Sequence, residues 1–108
     1  MSRSVDCPVK RWPGRVVLSD PLTMPQYMAW IDAARNAEAE QDAIKKQAAY
    51  LPGVLVCVER WELAGGMPEQ PTVETFPATP AQVSAKLVFH LVNEIWRIVN
   101  AEDAPPNA

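Results

Sequence analysis

Two helix starts of the same design constrain this chain more than any other feature. Leu22-Thr23-Met24-Pro25-Gln26 and Phe76-Pro77-Ala78-Thr79-Pro80-Ala81-Gln82 each place a Thr where its side chain can cap free backbone N–H groups. A Pro follows within the first turn, where its missing N–H costs the helix nothing, and a Gln takes the reciprocal capping position. The residues thus specify two helix beginnings and attach no catalytic motif to either.

Between and after these starts, apolar spacing carries the reading. Tyr27, Trp30, Ile31, Ala34 and Ala37 fall on one face of a helix that ends near Glu40. A second series, Ile44, Ala48, Leu51, Leu55 and Val58, keeps helical spacing through Trp61 and Leu63 until Gly65-Gly66. Pro52-Gly53 interrupts it, and an interior Pro predicts a kink or two abutting helices. The β-branched run Val54–Val58 supports a rival reading as a strand, which would pair with Val16–Leu18. Arg15-Val16-Val17-Leu18 is extended, flanked by Pro13-Gly14 and Asp20-Pro21. As a lone strand it needs a pairing edge, in this domain or on a neighbouring copy.

Residues 65–78 are rich in Gly and Pro and predict a long loop. The last helix runs from Pro80 to about Ala101. Val83, Leu87, Val88, Leu91, Val92, Ile95, Ile98 and Val99 cover half of it, and Gln82, Lys86, His90, Asn93 and Arg97 form its polar side. Phe89 and Trp96 lie outside both arcs, seven residues apart, and extend the apolar surface into an edge fit for another chain. The fold class that follows is mainly α: a small domain of three to four helices with an extended N-terminal segment and at most one short strand. Residues 1–13 form an irregular basic arm, 14–101 a single helical domain, and 102–108 a disordered tail.

The chemistry is sparse. A net charge of -3 gives no field for nucleic acid or anionic lipid, although Arg3, Lys10, Arg11 and Arg15 face only Asp6 in the N-terminal stretch. Cys7 and Cys57 are unpaired in spacing, and His90 alone cannot complete a zinc site. Cys57 sits in an apolar run as a small hydrophobe, consistent with a reducing compartment. No apolar span is long enough to cross a bilayer, and the N-terminus lacks a signal peptide's pattern, which points to the cytosol. Glu94, one turn from His90, reads as an exposed ion-pair partner and not as its orienter; Glu59 and Glu62 read as a solvated face. No catalytic residue, metal, cofactor or small-molecule substrate is therefore expected. Among the four tryptophans, Trp30 and Trp61 sit on apolar helix faces, whereas Trp12, before Pro13-Gly14, is a candidate interface residue.

The order of phrases is that of a known family. Trp12-Pro13-Gly14, Val16-Val17-Leu18-Ser19-Asp20-Pro21-Leu22-Thr23, Leu51-Pro52, Cys57-Val58-Glu59-Arg60-Trp61 and the closing Phe76-Pro77-Ala78-Thr79-Pro80 with its long helix resemble tail assembly chaperones of long-tailed bacteriophages and prophages. The resemblance spans about residues 12–101. It implies a small, mostly helical protein of the bacterial host cytoplasm that coats the tape measure protein while the tail tube polymerises. Catalytic residues do not carry over, since the family has none. A small structural virion protein, such as a head–tail connector or tail component, is the alternative. Trp12, Val16, Leu18, Met24, Met28, Phe89, Val92 and Trp96 are the partner-binding candidates, with self-association expected alongside the tape measure protein.

Overall fold

A computed structural model describes residues 2–78 and 81–101, the side chains of 81 and 82 excepted. The chain order is β1 (Ser2–Asp6), β2 (Gly14–Ser19), α1 (Met24–Glu38), α2 (Ala43–Cys57), β3 (Val58–Leu63) and α3 (Ala81–Ala101). The fold is therefore α+β, three helices with a three-stranded antiparallel sheet in the order β1-β2-β3, and the mainly α class is overturned. The expected tail, 102–108, and Thr79-Pro80 of the second capping cassette lie outside the described residues.

Two strands were hidden. The supposed irregular arm contains β1, whose register pairs Ser4 with Val17 and Val5 with Val16. The supposed helix through Trp61 and Leu63 ends at Cys57, and the next residue opens β3. The helical reading of Val54–Cys57 holds, and β2 does find a partner in this region, four residues later than the rival reading placed it. The register of β3 on β2 shifts between Val17 and Leu18, which face Arg60 and Val58 and leave Glu59 as the extra residue of a bulge.

The sheet has one dry face and one largely wet face, on which Val17 is nevertheless buried. Val5, Val16 and Leu18 are buried in the core with Val58, Trp61 and Leu63 packed against them. Ser2, Ser4, Asp6, Arg15, Arg60 and Glu62 are exposed on the other side, where Arg15 and Arg60 reach Glu62 at 3.4 and 3.8 Å. This alternation is what an antiparallel sheet covered on one side requires.

The helices supply the rest of the core. Trp30 of α1 is fully buried, stacked on Tyr50 of α2 with ring centroids 5.3 Å apart and met edge-on by Trp96 of α3 at the same distance. Pro52 lies inside a single helix, α2. The Gly53 that follows it is buried, with Trp30 and Ala33 where a side chain would stand. The Pro-Gly pair thus lies within one helix at a close approach of α1 and α2. The expected loop 65–78 is anchored: Met67, Pro71 and Phe76 are buried, and Phe76 meets Trp61 edge-on at 6.0 Å. Gly65, at φ +81°, passes so close to the Arg11 carbonyl that no other residue fits, and this folds the β1–β2 connection with Trp12 inward.

Candidate functional site

The first capping cassette forms as the sequence predicts and does more than cap. Thr23 Oγ1 accepts from the Gln26 backbone N–H, and the Thr23 N–H donates to Gln26 Oε1 at 2.8 Å. Gln26 Nε2 then donates to Ser19 Oγ at 2.9 Å and to the Val56 carbonyl at 3.1 Å. One side chain thus ties the start of α1 to the end of β2 and the end of α2.

That tie holds one wall of an open groove of ≈ 430 Å³, lined by Pro21, Leu22, Thr23, Met24 and Tyr27 on one side and by Ile98 and Val99 of α3 on the other. Among the described residues no charged side chain lines it. Met24 is 71% exposed, Met28 one turn further on 55% and Tyr27 39%, so the rim is large, apolar and wet. Contiguous exposure of this kind marks interaction surface, and thioether side chains suit irregular partners.

The partner-binding candidates divide. Met24 lines the groove, and Met28, not among its lining residues, is exposed one turn further along α1. Trp12, Val16, Leu18 and Val92 are core residues, 4% exposed or less, with no face to offer another chain. Val16 and Leu18 are paired on both sides, so the expectation of an unpaired strand is corrected. Trp96 is partly buried on Trp30. Phe89 is 54% exposed but lies nine residues before Ile98, about 14 Å along the helix, and belongs to a separate patch. Sequence reasoning missed Leu22, Tyr27, Ile98 and Val99 as site residues. Leu22 and Tyr27 occupy the N′ and N4 positions around the Thr23 cap, the signature of a hydrophobic staple, and that signal was readable.

Titratable groups converge elsewhere, in structural roles. Glu94 is buried on α3 and accepts from Arg3 Nε of β1 at 3.0 Å and from Arg97 Nη1 at 2.6 Å, so it serves neither as orienter nor as ion-pair partner of His90. The Tyr50 hydroxyl donates to Glu38, and that bond, with Lys46 beside it at 3.5 Å, holds the Glu38 carboxyl below its usual range. Burial, then the Glu38 contact, pushes the Tyr50 phenol up. Burial alone pushes the Cys57 thiol up to about 12, and burial raises Cys7 as well. Among the described residues no three His, Cys, Asp or Glu side chains gather as metal ligands, and no helix is long and apolar enough to cross a membrane.

The chain matches no known family model, no curated protein and no solved structure.

Proposed function

We propose that this protein is an assembly chaperone of the phage-tail kind, a non-enzymatic binder of the bacterial host cytoplasm that holds apolar helical segments of a tape measure protein. The observation that supports this reading is the groove between the start of α1 and the end of α3, lined by Met24 and Tyr27, with Met28 exposed one turn further on. A partner helix presents side chains at i, i+3 and i+4, and a groove walled by two helices receives such a row. Its described lining has no charge to select a sequence, and Met24 in it, with the exposed Met28 one turn on, adapts to what arrives, which suits a long, repetitive client. The sheet and the Gln26 tie keep the walls in place before binding. Exposed Phe89, on its separate patch, is the contact through which copies of the chain associate.

Co-expression with the tape measure protein of the same phage or prophage tests the proposal. Soluble tape measure protein is expected with this chain and not without it, and Met24→Asp with Met28→Asp should remove the benefit while leaving the protein folded. A tape measure protein equally soluble in both cases defeats the reading. Recovery of the chain from purified tails replaces it with the structural-component alternative.

A further inference from the structure

β2 pairs one edge of β3, and among the described residues no strand pairs the other. The ladder fixes which main-chain groups are left over. The Ala64 N–H donates to the Pro13 carbonyl at 2.9 Å, one step beyond the pair Gly14 and Leu63, and bonded pairs alternate with unbonded ones in an antiparallel ladder. Glu62 therefore turns its N–H and C=O to β2, whereas Trp61 and Leu63 turn theirs outward. Gly14 agrees, since its carbonyl accepts from the Cys7 N–H at 3.0 Å and so faces β1, leaving Leu63 without a bond from that side. Among the described residues no backbone bond from the 65–78 segment reaches the outward groups. The bulge at Glu59 spoils the start of the edge and leaves Trp61 to Leu63 regular.

We propose that this edge takes an added β-strand, an extended segment of a partner polypeptide with apolar and basic residues at alternate positions. An open row of N–H and C=O groups is a template for a further strand. Beside it lies a cleft of ≈ 470 Å³, bounded by Val58 and Trp61 from the dry face, by Arg60 and Glu62 from the wet face, and by the 69–71 segment opposite. A hollow that touches both faces of one strand and a second segment runs along that strand's free edge. Charge selects the occupant. Glu59, Glu62 and Glu69 line the cleft against a single guanidinium, Arg60, which stands 3.8 Å from Glu62. An incoming strand sets alternate side chains beside Glu62 on one face and beside Trp61 on the other, so Lys or Arg suits the first row and Val or Ile the second. Two β3 edges brought together would double the carboxylate excess, so the occupant is a different chain. The cleft shares no lining residue with the α1–α3 groove, and the proposal does not rest on the chaperone reading.

Titrating the full chain with a capped peptide of alternating Val and Lys, followed by NMR, tests the proposal. In the free protein the Trp61 and Leu63 amides should exchange fast with water and that of Glu62 slowly. Saturating peptide should move the Trp61 and Leu63 signals downfield and slow their exchange about tenfold or more. The same peptide N-methylated throughout keeps its charge and loses every donor, and should bind about tenfold more weakly. A peptide of alternating Val and Glu should also bind about tenfold more weakly, and Glu69→Lys, on the exposed wall of the cleft, should cut that preference to about twofold. Signals of Trp61 and Leu63 that stay in place, an N-methylated peptide bound as tightly, equal affinity for the Lys and Glu peptides, or a preference that survives Glu69→Lys each overturns the proposal. Protection of both amides in the free protein that falls on dilution would give the edge to a second copy and overturns it equally.

Discussion

Gly53 of α2 and Ala33 of α1 meet so closely that a β-carbon at Gly53 would stand 2.8 Å from the Ala33 Cβ, and 3.2 Å from the Trp30 Cα. Within a helix, Gly→Ala ordinarily stabilises by up to about 1 kcal/mol. Here the added methyl overpacks a buried crossing, a change that costs about 1–3 kcal/mol. Gly53→Ala should therefore lower stability by about 1 kcal/mol or more, read as a lower urea midpoint at unchanged slope. A raised midpoint would show that α1 and α2 do not cross there.

Arg3 and Glu94 fix the sheet to α3 across 91 residues of sequence. Glu94 has a side chain only 10% exposed and serves two guanidinium groups, so its loss leaves both without an acceptor. Glu94→Ala should cost about 2–3 kcal/mol and Arg3→Ala about 1 kcal/mol less, because Arg97 still holds the carboxylate in the second case. In hydrogen exchange, Arg3→Ala should release the β1 amides before those of β2, which is paired on both sides. Equal protection of the two strands in the variant would remove the clamp from the account.

The Cys57 thiol is a stability group at high pH. Its folded value, raised by burial to about 12, lies above the ordinary thiol value of 9.0 that it regains on unfolding. Its contribution is fully present below about 9 and is lost as pH rises towards 12, since only the unfolded chain then releases the proton easily. Native protein should accordingly show one slowly reacting thiol, Cys7, with Cys57 modified only through unfolding. Cys57→Ala or Cys57→Val should flatten the decline above pH 9; an unchanged decline would assign it to other groups.

Self-association through Phe89 makes a separate expectation. Trp96 packs on Trp30, so removing it would damage the fold, whereas Phe89 is 54% exposed. Phe89→Asp alone should shift sedimentation towards monomer without moving the thermal midpoint. A native protein that is monomeric at every accessible concentration ends the proposal.

The legible parts of the fold were those with local rules. The Thr23–Gln26 capping box and the α1 and α3 apolar faces follow from local sequence alone, and the ends of α1 and α3 fall within about two residues of expectation. β2 was read from its local run, but β1 and β3 were not local. The bulge at Glu59 sends Val58 and Trp61 to the same face three residues apart, a helical interval, so β3 continued the period of α2 and read as its extension. In β1 only Val5 is apolar, and Ser2, Ser4 and Asp6 take their places by pairing with β2, which no window on residues 2–6 contains. The site was half legible for the same reason: Met24 and Met28 stand on a helix whose start was clear. Trp12, Val16 and Leu18 are buried in the core, the last two on the inner face of a sheet that local spacing did not reveal.

The groove makes a prediction about salt. Among the described residues no charged side chain lines the groove, and Met24 and Tyr27 expose apolar surface there, so association through it draws on burial and hardly on attraction between charges. Ionic strength screens charge within about 10 Å at 0.1 M and leaves apolar burial nearly untouched. Affinity for the tape measure protein should then change less than about tenfold between low and physiological salt, with Met24→Asp weakening it at both. A steeper loss would transfer the interaction to basic side chains, first of all those of the N-terminal stretch. Arg3 is engaged by Glu94 and Arg15 by Glu62, so Lys10 and Arg11, exposed in the β1–β2 connection, would be the contacts. Lys10→Ser with Arg11→Ser should leave binding intact if the groove is the site; abolished binding in that variant, with Met24→Asp silent, would move the client to the sheet end of the molecule.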